Sequence, residues 1–139
     1  MKFRLRTLLV FVAAVAMGLA VFLNWDAMPG TFHKTPNGFP RGTGTAEHNY
    51  DNGSLMIREW YYRGLLYKST WFTPGGIELA TESFDKQTGG VGYYLRQDGT
   101  IRSKHTYEFD AGINMYGSVD VAYYDKSGEP VPDANQPID

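Results

Sequence analysis

The residues of this chain with chemistry to offer are three histidines, fifteen carboxylates and a set of adjacent aromatic pairs. His33 and His48 lie in the linker or first strand, far apart and without the spacing of paired metal ligands. His105 falls in an alternating segment. A metal site needs three or four converging ligands, and no such group is legible, so packed or surface histidines are expected and no metal. Glu78 and Glu82 stand four residues apart on one face of one strand. At ~3.3 Å per residue they are separated by about 13 Å, beyond the ~5–9.5 Å of a glycosidase pair. They are expected on a solvated face. No G-x-S-x-G nucleophile elbow occurs. Gly89-Gly90 follows no phosphate-binding pattern and precedes no helix, so it reads as a turn. No cysteine is present, which excludes disulfides, cysteine-ligated zinc, thiol catalysis and a lipoprotein cysteine anchor. The expectation is no enzyme, no catalytic residue and no cofactor.

The aromatics carry the binding potential. Trp60-Tyr61-Tyr62, Trp71-Phe72, Tyr93-Tyr94 and Tyr123-Tyr124 are adjacent, and neighbours on a strand point to opposite faces. Each pair thus places one ring on each side of a sheet. Two readings follow. Both rings pack as cross-strand ladders holding the sheet together, or one face stays uncovered and serves a partner. The candidate partner-binding aromatics are Trp60, Tyr62, Trp71, Tyr93 and Tyr94.

The elements that must position these rings begin with the charge distribution. Three of the 13 basic residues, Lys2, Arg4 and Arg6, open the chain, and none of the 15 acidic residues precedes Asp26. The remainder is acidic and lacks the basic stripe of a nucleic-acid binder. After the basic tip (1–6), Leu8 to Leu23 is uncharged, with Gly18 as its one breaker. Its rise of about 24 Å is a little short of a ~30 Å hydrocarbon core. Thr7 and Asn24 extend it, and Trp25 suits an interface. A transmembrane helix or signal anchor over 7–25 is expected, with the N-terminus cytoplasmic and the body outside the cell membrane. A cleaved signal peptide, giving a secreted protein, competes; Ala14-Val15-Ala16 and Gly18-Leu19-Ala20 are its cut motifs.

Residues 26–35 read as a proline- and glycine-bearing linker. Beyond it, Asn52-Gly53, Arg63-Gly64, Gly75-Gly76, Gly89-Gly90, Asp98-Gly99 and Ser127-Gly128 punctuate segments rich in Tyr, Phe, Trp, Ile, Val and Thr. Gly53, Gly76 and Gly99 recur at an interval of 23, and the next, Gly128, follows after 29. A fixed interval of that size signals a repeat architecture. Asn-Gly and Asp-Gly suit type I′ hairpins. Ile101, Ser103, His105, Tyr107 and Phe109 share one face of a strand, and Val119, Val121 and Tyr123 share one face of the next. The fold class expected is all-β: an antiparallel meander of about seven strands over 36–132, preceded by one N-terminal helix and followed by a flexible tail (133–139).

Tyr50 with Asn52-Gly53 and Leu55, Phe72 with Gly75 or Gly76 and Ile77, Tyr94 with Asp98-Gly99 and Ile101, and Tyr124 with Gly128 resemble the variant MORN repeat of bacterial antitoxin-like proteins. The resemblance covers roughly 36–132. It implies a MORN-like open sheet of hairpins that contacts a protein or a membrane. The function expected is a membrane-anchored interaction module whose partner is another protein. Two alternatives stand beside it: an envelope module binding cell-wall carbohydrate, since YYLRQDGTI is locally similar to aromatic-glycine wall-binding repeats, and an antitoxin-like immunity protein.

Overall fold

The structure, a computed structural model, describes residues 5–132, without the side chains of 5–8. The expected tail and most of the basic tip lie outside the described residues. The apolar run forms helix α1 (Leu5–Leu23). It holds no proline, and it stops where the Asn24 side-chain amide donates back to the Ala20 carbonyl at 2.9 Å, satisfying a terminal acceptor. Its side chains are exposed from Leu9 onward, Phe22 at 78%. Among the described residues no helix is long and apolar enough to cross a membrane. From Leu9 to Leu23 the rise is about 22 Å against a ~30 Å hydrocarbon core. The expected transmembrane span over 7–25 is therefore corrected, for the described residues, to an apolar helix that the protein itself leaves uncovered.

The stretch expected as a linker is fastened down. After a 3-10 turn at Trp25–Ala27, strands β1 (His33–Lys34) and β2 (Pro40–Arg41) pair antiparallel. Thr43 Oγ1 donates to the Asp26 carbonyl at 2.7 Å, and Arg63 Nη2 donates to Asn24 Oδ1 at 2.8 Å. The Phe32 ring stacks on Tyr61 at 4.7 Å between centroids.

The body is one antiparallel sheet: β3 (Gly44–Asn49), β4 (Leu55–Tyr62), β5 (Leu65–Phe72), β6 (Glu78–Asp85), β7 (Gly89–Leu95), β8 (Ile101–Asp110), β9 (Met115–Tyr124) and β10 (Pro130–Val131). Spatial order follows chain order, so the sheet is an eight-stranded meander. It exceeds the expected seven strands, with Pro130–Val131 pairing onto Tyr124 and Tyr123 as a short last strand.

The glycine interval corresponds to equivalent turns. Gly53, Gly76 and Gly99 all have φ of 83°. In each turn the glycine N–H donates to the residue three before it, as Gly53 does to Tyr50 and Gly99 to Arg96, both at 2.9 Å. The expected type I′ geometry is corrected here. Tyr50 N–H bonds the Ser54 carbonyl, leaving three residues in the loop, and only the glycine has positive φ. This is the type I turn with a glycine bulge. Asn52 and Asp98 accept the N–H groups of Ser54 and Thr100 through their side chains. The type I′ loop occurs instead at Arg63-Gly64, where both residues have positive φ, 51° and 78°.

A single sheet has no second layer to bury apolar side chains against. Tyr61 and Ala80 are the only buried hydrophobic residues among those described, beside the buried polar residues Ser69, Thr70, Glu82, Arg96 and Ser103. One expectation changes: Glu82 is not on a solvated face; it is 7% exposed. On β9 the ladder slips where Thr106 pairs Asp120 and Tyr107 pairs Ser118, leaving Val119 unpaired and exposed.

Candidate functional site

Residues directly opposite on paired strands share a face, so register defines rows across the sheet. One row runs Glu59, Ser69, Glu82, Gly92, His105. The next row on the same face runs His48, Ile57, Trp71, Ala80, Tyr94, Ser103, Tyr123. Within it rings alternate with smaller residues, and Ala80 and Ser103 are 1% and 4% exposed beneath them. The rings follow the repeat: His48, Trp71 and Tyr94 are 23 residues apart, and Tyr123 follows after 29.

Glu82 ties the two rows together. Its Oε1 accepts the hydroxyls of Tyr94 and Tyr107, each at 2.7 Å. Its Oε2 accepts the Ser69 hydroxyl and the Trp71 indole N–H, the latter at 3.2 Å. The donors come from β5, β7 and β8 and meet on β6, so one carboxylate fastens four strands. Gly92, directly opposite Glu82, leaves the room: a Cβ there would stand 3.0 Å from Glu82 Cγ and 3.2 Å from Tyr107 Cε2. Burial pushes the Glu82 carboxyl up, but the bonds from Ser69, Tyr107, Tyr94 and Trp71 outweigh it and hold the pKa below the usual value. Burial, then the bond to Glu82, pushes Tyr107 far above the ordinary tyrosine range.

The arrangement recurs with different chemistry. Glu59, Glu82 and His105 occupy one position at the 23-residue interval. His48 Nε2 lies 3.0 Å from Glu59 Oε2, as Trp71 Nε1 bonds Glu82. Tyr94 meets His105 by ring contact, at 4.3 Å between centroids. In each repeat the ring is held by the side chain at this position.

The cluster is built to hold, and its chemistry follows from that. Four hydrogen bonds occupy the acceptor sites of Glu82, leaving no lone pair for a substrate proton. Ser103 Oγ lies 3.2 Å from His105 Nε2, a pair the sequence reading did not single out, but Ser103 is buried. Burial lowers the His105 pKa, against a smaller upward pull from Glu82. Among the described residues no group of three or more His, Cys, Asp or Glu could hold a metal ion. A hollow at the β6–β7 hairpin is lined by Phe84, Asp85, Thr88 and Val91, and its one carboxylate, Asp85, is engaged by the N–H groups of Gln87 and Thr88.

The five candidate aromatics divide between faces. Trp71, 38% exposed, and Tyr94 lie on the Glu82 face. Trp60 and Tyr93 lie on the other, where Trp60 carries the Lys68 ammonium at 4.9 Å from its ring. Tyr62 is exposed at the β4–β5 turn under Arg63. The sequence reading placed Glu82 on a solvated face, and it missed His48 and Tyr123 as members of the row. For Glu82 and His48 the signal was the 23-residue interval applied to polar residues as well as to glycines; Tyr123 follows at the longer interval of 29.

No family model, no curated protein and no solved structure matches this chain.

Proposed function

We propose that this chain is a binding module without a catalytic role, MORN-like in its repeat plan, attached to a membrane through its apolar N-terminal helix, with the Glu82 face as its working surface. The observation that carries this reading is the ring row. A single-layer sheet spends its most elaborate hydrogen-bond cluster on fixing Trp71 and Tyr94 in place. Rings held before a partner arrives lose little freedom on binding. The attachment is supported by a helix whose apolar side chains nothing else in the described chain covers, a surface that water disfavours. Its end is tied to the sheet through Asn24 and Arg63, which sets the module close to whatever surface the helix enters.

Fractionation with protease accessibility tests the attachment: full-length protein in membrane fractions, released by detergent, is expected. Recovery of the intact chain in the aqueous fraction would contradict it. A photo-crosslinking residue placed at position 123, compared with one at 93, tests the surface. Adducts from 123 and none from 93 are expected; the reverse would assign binding to the other face.

A further inference from the structure

We infer that the row His48, Trp71, Tyr94, Tyr123 binds an extended β-linked glycan chain lying across the strands. The inference rests on the binding-module reading and names its partner class. Successive rings stand two strands apart, so at ~4.8 Å per strand their pitch is about 9.5 Å. That is close to the length of two sugars in an extended β-1,4-linked chain, so every second sugar meets a ring. The C–H face of such a sugar is apolar with slightly positive hydrogens, and it fits the negative face of an aromatic ring. Between Trp71 and Tyr94 and between Tyr94 and Tyr123, Ala80 and Ser103 are small and sunk below the surface, leaving a gap for the sugar that no ring supports; the half-buried Ile57 stands between His48 and Trp71. A protein partner would call for a broad clustered apolar patch; along this row the rings stand at even intervals, with the His105 ring beside Tyr94.

The polar groups beside the rings agree. Glu59, in the neighbouring row and with a side chain 20% exposed, is paired with His48, and suits sugar hydroxyls as donors. The rings are also oriented in advance: the Trp71 indole and the Tyr94 hydroxyl are both pinned to Glu82. Sheet twist turns neighbouring strands by about 20–25°, so consecutive ring positions rotate by about 45°. A single chain free to twist fits that progression. The flat surface of a crystalline glycan does not.

The test uses full-length protein in lipid nanodiscs, with chitohexaose and cellohexaose as probes against their disaccharides. Hexasaccharide binding about tenfold or more tighter than disaccharide binding is expected, because several rings engage one chain. Trp71→Ala and Tyr123→Ala are each expected to weaken it by about threefold to tenfold, and Tyr93→Ala, on the opposite face, to leave it unchanged. Tyr123 lies outside the Glu82 cluster, so its variant keeps the test valid if Trp71→Ala unfolds. Equal binding of hexasaccharide and disaccharide, or indifference to both ring variants, overturns the inference. Absence of glycan binding with partner capture still seen at position 123 overturns the glycan and spares the module; absence of both sinks the two together.

Discussion

The indole N–H of Trp71 on β5 donates to Glu82 Oε2 on β6 across 3.2 Å, two residues out of direct register. The bond joins the row of rings to the row of polar residues. Through it an exposed aromatic takes its orientation from a carboxylate that water barely reaches. Stability and binding surface therefore rest on the same group.

Glu82→Gln keeps the shape and removes the charge. The amide nitrogen would face hydrogen-bond donors and leave buried hydroxyls short of an acceptor. A loss of about 3 kcal/mol is expected in urea or guanidinium unfolding. Glu59→Gln, at the more exposed equivalent position, is expected to cost about 1 kcal/mol. Equal losses at the two sites would deny Glu82 its central place.

The same cluster sets an acid limit. The Glu82 pKa is lower folded than unfolded, so its contribution to stability is complete above the unfolded value of ~4.3. It is lost as pH falls through the lower folded value. Unfolding free energy should hold steady down to about pH 5 and then decline. The exposed turn carboxylates Asp85, Asp98 and Asp125, held low by bonds to their own turns, titrate in the same direction. Glu82→Gln should flatten the decline without abolishing it. An unchanged acid slope in that variant would show that Glu82 does not set it.

Two kinds of turn glycine should behave differently. Gly53 and Gly99 have positive φ, and a Cβ at either would meet nothing within 4 Å. Gly53→Val and Gly99→Val then cost only the backbone conformation, on the order of 1–2 kcal/mol. At Gly89, φ is also positive, and a Cβ would stand 2.2 Å from the Tyr107 carbonyl oxygen. Gly89→Ala should therefore lower the melting temperature more than alanine at Gly53. The opposite order would contradict the β7–β8 register.

Much of this fold is legible in the sequence, because its signals are local. The interval linking Gly53, Gly76 and Gly99 marks the turns, and alternation in Ile101 to Phe109 marks a strand. The turn type was harder. Asn52-Gly53 has the residues of a two-residue loop, and only the Tyr50–Ser54 pairing makes it a three-residue one. Glu82 was hidden for a different reason. Strand period assigns a residue to a face without saying which face is covered, and an unpaired carboxylate belongs by default in water. Its hydroxyl and indole partners lie 11 to 25 residues away in sequence, so only the register of several strands brings them together. The ring row was half visible. Trp71 and Tyr94 stood out as aromatics, while their alignment with His48 and Tyr123 required the ladder.

The most direct test of the ring row as the working surface is single-tryptophan fluorescence during a hexasaccharide titration. Two full-length variants in nanodiscs are needed, one retaining only Trp71 and the other only Trp60, the remaining tryptophans replaced by phenylalanine. Trp71 lies on the Glu82 face and Trp60 on the opposite one. A saturable shift in Trp71 emission, with Trp60 silent, is the result expected. A response from Trp60 with Trp71 unchanged would contradict the assignment of the binding face.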